Sequence, residues 1–243
     1  MKNRTILFSA LLAFLLSSCI TDYDGGFFGQ SIKGEGPVTS KMLSLEGFDE
    51  IGISTSGELY LSQGGAYSVK VEAQQNIIDN LETGVSGKKL NLGFDKSVSD
   101  YESLKFYITM PTLTGISVAG SSNVAGETPF TNLGSVDLSI AGSGNIKLSL
   151  VADAVDISIA GSGDVELEGE ADAVDVSIMG SGSVKAGQLK TLKADVSIAG
   201  SGDCAIDATE ELDVSIAGSG DVYYYGSPKI DQSIAGSGSV ERK

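Results

Sequence analysis

The sequence predicts an all-β fold, a single-stranded right-handed β-helix (a solenoid) with Gly-Ser-Gly turns and coils of 18–20 residues. Three observations predict it: a six-residue motif recurs at a nearly fixed period, apolar and polar residues alternate on both sides of it, and the copies align column by column. Such a repeat is typical of one supersecondary unit that is stacked many times. The motif reads SIAGSG with small variations, and its seven copies begin at Ser117, Ser139, Ser158, Ser177, Ser197, Ser215 and Ser233.

Each unit contains two strands joined by a glycine turn. In the third copy, residues 155–160 (VDISIA) and residues 164–168 (DVELE) both alternate with period two, which is typical of strands with one buried face. Val and Ile fill most of the apolar positions, as suits a pleated surface. Gly161 and Gly163 between the two strands allow a sharp turn. Glycine interrupts every unit in this way, which disfavours helix.

The alignment of the copies favours parallel stacking over a meander of antiparallel hairpins. Consecutive hairpins would run in opposite senses and lose a common register, whereas here the columns align without a shift. Parallel crossover connections are nearly always right-handed, which predicts the hand of the coil. One inward column repeats a single residue type in six copies, at Ile140, Ile159, Ile178, Ile198, Ile216 and Ile234.

The first 18 residues predict a lipoprotein signal peptide. Lys2 and Arg4 form a basic start before an apolar run, and the tetrapeptide Leu16-Ser-Ser-Cys19 resembles the bacterial lipobox, whose cysteine receives lipid. Ile rather than Asp follows this cysteine, so the resemblance implies lipidation of Cys19 and sorting to the outer membrane, on its periplasmic or its surface-exposed face. The alternative is a signal peptide or short membrane helix with an incidental cysteine, but the run is too short to span a bilayer comfortably.

The rest of the chain divides into a tether and a solenoid. Residues 19–45 are rich in glycine and predict a flexible tether. Residues 46–243 predict the solenoid, in which 116–241 form the regular repeats. Residues 46–115 are interpreted as degenerate coils of the same solenoid or as a sheet continuous with it. A separate domain is the other alternative, although no linker marks one. Within them, Gln74–Asn80 fits a short helix and a loop equally well.

Charge and composition exclude several classes of function. The formal net charge is −16, and loss of Lys2 and Arg4 with the signal peptide takes it to −18. A surface this acidic excludes nucleic acid as a partner. The chain has no histidine, which removes Ser-His-Asp and Cys-His catalysis and the usual zinc sites. A hydrolase that uses carboxylates alone would need a pair that breaks the repeat, so the sequence predicts that the protein is not an enzyme.

An acidic column is the most notable outward feature of the repeats. Stacked strands place such carboxylates about 4.8 Å apart, where like charges repel. Hydrogen bonds from backbone N–H groups or serine hydroxyls would compensate, and so would a row of divalent cations, with Ca²⁺ preferred because every ligand is an oxygen. No other cofactor is indicated. The six residues of this predicted metal site are Asp137, Asp156, Asp175, Asp195, Asp213 and Asp231.

A second outward column carries exposed aromatic residues near one end of the solenoid. Lys147, Glu166 and Lys185 alternate in charge along it, which predicts a structural charge ladder. Tyr223 and Tyr225 break this pattern. Exposed tyrosines of this kind predict contact with a sugar, a protein or another subunit, and ordinary surface tyrosines are the alternative.

The last coil departs from the pattern at an inward position. Gln232 stands where Val or Ile should point into the core. An open parallel edge of this kind is prone to pair with another chain. Either Arg242 and Lys243 blunt this edge, or the N-terminal segment or a second copy of the chain covers it. A homo-oligomer is therefore one of the alternatives.

Three features resemble a known family. The Gly-Ser-Gly turns at this period, the segment Phe48–Ile53 and the strand Leu104–Pro111 are similar to the "putative auto-transporter adhesin, head GIN domain" family, over roughly residues 45–240. The resemblance implies a secreted or lipidated β-solenoid and brings no catalytic residues with it. The resulting prediction is a non-enzymatic cell-envelope lipoprotein that acts as an adhesion or interaction module towards a host or cell-surface protein or glycan. The alternative is a carbohydrate-active or glycan-binding β-helix protein of the cell surface.

Overall fold

The structure is a computed structural model that describes residues 31–243. Its first part combines short strands with one turn of helix. The helix lies within Gln74–Asn80, where a helix and a loop were both compatible with the sequence. Its elements in chain order are β1 (Ile32–Lys33), β2 (Val38–Leu43), β3 (Glu50–Ile53), β4 (Glu58–Gln63), β5 (Ser68–Gln74), α1 (Gln75–Asp79), β6 (Leu81–Ser86), β7 (Lys89–Phe94), β8 (Val98–Asp100) and β9 (Leu104–Met110).

The second part holds the Gly-Ser-Gly repeats and has longer strands. Four of them run for 16 to 18 residues, because the chain stays extended from one Gly-Ser-Gly corner to the next. The elements are β10 (Gly115–Gly120), β11 (Asn123–Gly126), β12 (Phe130–Gly142), β13 (Asn145–Gly161), β14 (Asp164–Gly180), β15 (Ser183–Gly200), β16 (Asp203–Gly218), β17 (Val222–Gly226), β18 (Lys229–Gly236) and β19 (Val240–Arg242).

Successive repeats pair as parallel strands in register. Ile159 of β13 lies beside Ile178 of β14, which lies beside Ile198 of β15. Each of these side chains is at most 2% exposed, so the repeated isoleucines form one continuous core. The prediction of an all-β solenoid is confirmed, and it makes about seven turns.

Residues 46–115 add two more layers to the same stack. The strands β3 and β4 pair in parallel with β10 and β11. In turn β7 and β9 pair in parallel with β3 and β4 on the far side. Because β7 and β9 follow β3 and β4 in the chain, the spatial order of the layers differs from their order in the sequence.

Antiparallel strands and the helix close this end of the solenoid. The strand β5 runs antiparallel to β9, β2 antiparallel to β5, and β6 antiparallel to β7. Ile77 and Ile78 of α1 are buried in the core together with Phe48. The apolar interior is therefore covered here by residues that follow neither the period nor the direction of the repeats.

The predicted tether overlaps this closure. Residues 38–43, within the expected tether of residues 19–45, form β2 and pair from Val38 to Leu43 with β5. The tether prediction is therefore wrong for this segment. Its glycine-rich context indicated flexibility, but β5 leaves an open edge whose backbone groups pair with whatever extended chain lies beside it. Cys19 and the predicted signal peptide lie outside the described residues.

Glycine stacks on glycine at the corners of the coils. Gly161 has a φ of +137°, and a Cβ atom at this position would collide with the carbonyl oxygen of Gly142 in the preceding coil. At Gly163, a Cβ atom would lie 2.8 Å from Cγ2 of Ile140 and collide with the carbonyl oxygen of Gly144. The corners therefore need glycine both for backbone conformation and for the close approach of successive coils.

The thiol of Cys204 is buried. Cys204 is a free cysteine with no exposed surface. Burial, with a smaller contribution from the charge of Asp203, raises the pKa of its thiol to about 12.

Within residues 31–243, the helical part of the chain contains nothing long and apolar enough to cross a membrane.

Candidate functional site

The acidic column forms along one outward face of the solenoid. Asp156 lies beside Asp175, which lies beside Asp195, and register pairs extend the column in both directions. All six aspartates that define the column are exposed. The next outward position along each strand is serine, and the one after it is alanine or methionine, so three parallel columns cover this face.

Two carboxyl groups of the column, those of Asp137 and Asp175, have a raised pKa. Although Asp175 is exposed, loss of part of its hydration shell against the sheet raises its pKa, and the charges of Asp195 and Asp156 raise it further. Burial likewise raises the pKa of Asp137, and Asp156 and Glu50 add to the shift. The charge of Lys89 partly offsets the shift at Asp137, and no hydrogen bond from residues 31–243 lowers the pKa of either carboxyl group. The column is thus a row of carboxylates that repel one another.

The column does not gather into a compact metal site. Within residues 31–243, no group of three or more His, Cys, Asp or Glu side chains is placed to hold a metal ion. A straight column with one carboxylate per coil brings each side chain beside at most two others. Binding of Ca²⁺ along the column therefore stays a prediction.

The acidic residues at the turns have a different role. Asp164 Oδ1 accepts a hydrogen bond from the Ser183 backbone N–H at 3.1 Å, and Asp221 Oδ1 accepts one from the Ser239 backbone N–H at 2.8 Å. Each of these side chains thus satisfies a backbone donor of the next coil. These carboxylates hold adjacent corners together.

The second outward column forms its ion pairs in a staggered pattern. Lys147 Nζ lies 2.6 Å from Glu166 Oε1, as the predicted ladder requires. Lys185 Nζ instead lies 2.8 Å from Asp164 Oδ2, at the corner of the preceding coil. The ladder prediction is therefore wrong at Lys185, because its long side chain reaches a carboxylate that the corner has already fixed in place.

Tyr223 and Tyr225 project from β17 on the side opposite Tyr224, which packs against the core. The ring of Tyr223 lies beneath Lys243 Nζ, 4.2 Å from the ring centroid. The ring of Tyr225 lies over Gly187, and this side chain is 39% exposed. The two rings form a partly exposed aromatic patch near the C-terminal end of the described chain.

A groove of about 570 Å³ lies where the regular repeat meets the closing strands. Lys89 lines it and is held in place, since its Nζ lies 2.6 Å from Glu50 Oε1 and 3.0 Å from Ser117 Oγ. Most of the remaining lining is small or polar, and the residues include Gly52, Ser54, Thr83, Gly84, Asn91, Gly93 and Ala119.

The groove continues along the regular face. A second hollow of about 380 Å³ shares Ser117 and Ala119 with it and follows the serine and alanine columns to Met179. Met179 replaces alanine in its column and is 67% exposed, so it stands above the surface. We call the two hollows together the trough, which crosses strands β6, β7, β3, β10, β12, β13 and β14.

The family model described as "Putative auto-transporter adhesin, head GIN domain" matches residues 47–228. This chain belongs to that family. Among curated proteins, none matches the chain. The predicted family resemblance is thus confirmed, and the match spans both the closing layers and the regular repeats.

Solved structures share the fold of this head GIN domain over nearly its whole described length. A "putative adhesin" from Bacteroides fragilis is 30% identical with a TM-score of 0.83. A "putative lipid binding protein" from Parabacteroides distasonis is 28% identical with a TM-score of 0.73, and a "putative adhesin" from the same species is 25% identical with a TM-score of 0.72. Each match covers 88% of this chain and 100% of the other chain.

Sequence reasoning did not find the trough in this head GIN domain. Its first hollow is lined by β3, β6, β7 and β10, and β3 and β10 are neighbours in space but far apart in the chain. One signal was present: Gly52, Gly84 and Gly93 lie inside strands, where glycine often marks close approach of another group. Only the pairing of the layers shows that these glycines share one hollow.

The acidic column leads to a stability prediction. Replacing Asp175 with asparagine should raise the free energy of unfolding by about 0.5 kcal/mol at pH 7, because it removes one charge from a row of like charges. The pKa of Asp175 in the folded state lies above its ordinary value of 3.8. The wild type should therefore gain stability as the pH falls towards that raised pKa, and the advantage of the variant should disappear.

Thermal melts at several pH values, with Asp172→Asn as a control outside the column, measure this effect. The same melts in millimolar Ca²⁺ and in NaCl of equal ionic strength test the cation hypothesis. We expect the two salts to act equally, through screening. A rise in melting temperature that is specific to Ca²⁺ and lost in Asp175→Asn would contradict repulsion as the full account and support a cation row.

Proposed function

We propose that this protein is a non-enzymatic, lipid-anchored protein of the outer membrane whose solenoid serves as an adhesion or interaction module. Membership of the adhesin family supports it. The observation that carries the proposal is the outward face of the repeats, on which the same three columns recur in register from β12 to β18. A stiff, repetitive face of this kind presents many equal contacts to a partner.

The anchor and the solenoid have separate roles in this proposal. Lipidation of Cys19 would hold the chain at the membrane, and the solenoid would present its faces to partners. The acidic charge of the chain favours partners that are neutral or basic and disfavours nucleic acid. The partner classes that fit are a cell-surface or host protein and a glycan.

The aromatic patch of Tyr223 and Tyr225 is the proposed contact for such a partner. Partly exposed tyrosines provide large apolar contact area together with a hydroxyl group, and they are enriched at binding sites. The Lys243 ammonium above Tyr223 adds a donor at the same place. Nothing else on the regular repeats combines aromatic and polar groups in this way within residues 116–243.

Binding to a glycan array and to immobilised cell-surface protein tests this proposal. Changing both Tyr223 and Tyr225 to alanine should weaken binding by about tenfold or more, because each ring supplies roughly 1 kcal/mol or more at such a site. Changing both to phenylalanine keeps the rings and should preserve most of the affinity. Equal binding by wild type and the alanine variant would exclude the patch as the contact site.

Glycan binding in the trough is a second candidate, favoured by the hydroxyl and amide groups that line it. The same array separates the two sites. Ala160 lines the trough, and Ala217 occupies the same column beyond its end. If the trough holds the glycan, Ala160→Phe should abolish binding and Ala217→Phe should leave it intact. If the tyrosine patch holds it, neither variant should matter.

A further inference from the structure

The two ends of the solenoid are finished differently. At one end, Ile77 and Ile78 of α1 lie over the core and are buried. At the other end, β18 pairs in register with β16 on one side, and residues 31–243 supply no register pairing on its other side. Ile234 of β18 is consequently 39% exposed, whereas Ile216, its partner in β16, is 1% exposed. Within residues 31–243, the core is closed at one end and uncovered at the other.

The uncovered strand has a symmetric inward pattern. Register with β16 places Ile230 beside Leu212, Gln232 beside Val214 and Ile234 beside Ile216. The three residues Ile230, Gln232 and Ile234 therefore continue the inward columns of the core. An isoleucine stands two residues before the glutamine and another two residues after it, so the inward edge reads the same in both directions.

We propose that β18 pairs antiparallel with β18 of a second copy of this chain, about a twofold axis through Gln232. Ile230 then lies opposite the partner's Ile234, which joins the two cores. Gln232 lies opposite the partner's Gln232, and two carboxamides can each donate an N–H to the carbonyl oxygen of the other. A polar residue in the inward column weakens a single solenoid. At a twofold axis, its hydrogen-bonding groups pair with those of the same residue in the second copy.

The outward side of β18 is compatible with the same register. Asp231 lies opposite the partner's Ser233, so no two like charges are directly opposite. A register centred on Asp231 would place that carboxylate against its own copy and Gln232 against an isoleucine. A register centred on Ser233 would likewise oppose Gln232 and the partner's Ile234. A shift by one residue would turn the apolar residues of one copy to the outside.

The closed end of the solenoid favours a dimer over a filament. Head-to-tail stacking would require the uncovered end of one copy to meet the end that α1 and the antiparallel strands have already covered. In an isologous contact, the uncovered ends of the two copies cover each other, and no uncovered end is left for a third copy. The proposed assembly is thus a dimer with its two closed ends pointing outward.

The mass of the full chain in mild detergent, measured by light scattering with the detergent subtracted, tests the proposal. We expect twice the monomer mass at micromolar concentration. Gln232→Lys places two ammonium groups against each other at the axis and should raise the dissociation constant about 100-fold. Ser233→Lys adds the same charge one residue away, opposite the partner's Asp231, and should leave the dimer intact.

Disulfide cross-linking then tests the register in the cell envelope. Gln232→Cys places two thiols directly opposite each other and should give a covalent dimer on a non-reducing gel. Ser233→Cys places them on a diagonal, about 7–8 Å apart, and should not cross-link efficiently. Buried Cys204 does not compete in either variant. Three results would overturn the proposal: a monomeric wild type, a dimer that survives Gln232→Lys, or equal cross-linking by both variants. A monomer is also the result expected if residues 1–30 cover β18 within one chain.

Discussion

Replacement of Gly161 with alanine is expected to lower the free energy of unfolding by about 3 kcal/mol or more, and the melting temperature by about 6–12 °C. Two causes add at this corner. The φ of +137° lies in a region that residues with a side chain rarely adopt, and the new methyl group would collide with the carbonyl oxygen of Gly142. The neighbouring coil cannot give way, because its own corner is stacked on the coil before it.

Gly134→Ala is the matched control for this prediction. No heavy atom lies within 4 Å of a Cβ atom at Gly134, and its φ is outside the left-handed region. Its effect should stay within about 0.5 kcal/mol. Thermal or denaturant unfolding of both variants measures the difference. If Gly161→Ala melts together with Gly134→Ala, glycine stacking is not what sets the spacing of the coils.

The same corner can be separated into its two contributions. Gly163 lacks a positive φ, but an alanine there would also collide with the preceding coil and would lie 2.8 Å from Ile140 Cγ2. Its expected cost is that of overpacking alone, about 1–3 kcal/mol. Gly163→Ala should therefore be milder than Gly161→Ala, and the difference between the two reports the backbone strain.

The regular coils could be predicted because each of their determinants is local and repeats. The alternation in residues 155–160 fixes which side chains point inward, and the Gly-Ser-Gly corner fixes where the chain turns. Once two copies align in register, the columns of Ile and Asp follow without knowledge of any distant contact. The positions of Asp137 to Asp231 on one face were therefore predictable from spacing alone.

The closing layers were not predictable in the same way, because non-local pairing decides them. Nothing in the sequence around Val38–Leu43 shows that it borders β5, and its glycine-rich flanks indicate the opposite. The placement of β7 and β9 outside β3 and β4 reverses the order of the chain. The trough forms only because the layers stack in this reversed order. The residues that line it could therefore not be predicted from their order in the sequence.

Side-chain partners at the surface were only partly predictable. Lys147 and Glu166 pair as neighbours in a column should. Lys185 has two possible ion-pair partners, Glu166 in its column and Asp164 at the corner, and it pairs with Asp164. The position of a residue in its column determines where its Cα atom lies. A flexible lysine side chain can still reach several carboxylates at similar distances. The geometry of strands is thus more predictable than the choice of ion-pair partners.

Substitution of Cys19 by alanine is expected to abolish lipid attachment completely. The proposal of an outer-membrane anchor depends on the tetrapeptide Leu16-Ser-Ser-Cys19, and the lipidated cysteine would supply acyl chains worth about 0.8 kcal/mol per buried methylene group. Without the thiol there is no acceptor for them. The variant should lose metabolic labelling with palmitate and accumulate as an unprocessed precursor that keeps its signal peptide.

The chain itself offers a clean control, because it contains two cysteines. Cys204 is fully buried, and its thiol, with a pKa raised to about 12, stays neutral and inaccessible in the folded protein at neutral pH. Cys204→Ala should therefore keep the palmitate label and the membrane location of the wild type. Label that persists in Cys19→Ala, or that disappears in Cys204→Ala alone, would contradict anchoring through Cys19 and would leave the solenoid without its proposed attachment to the outer membrane.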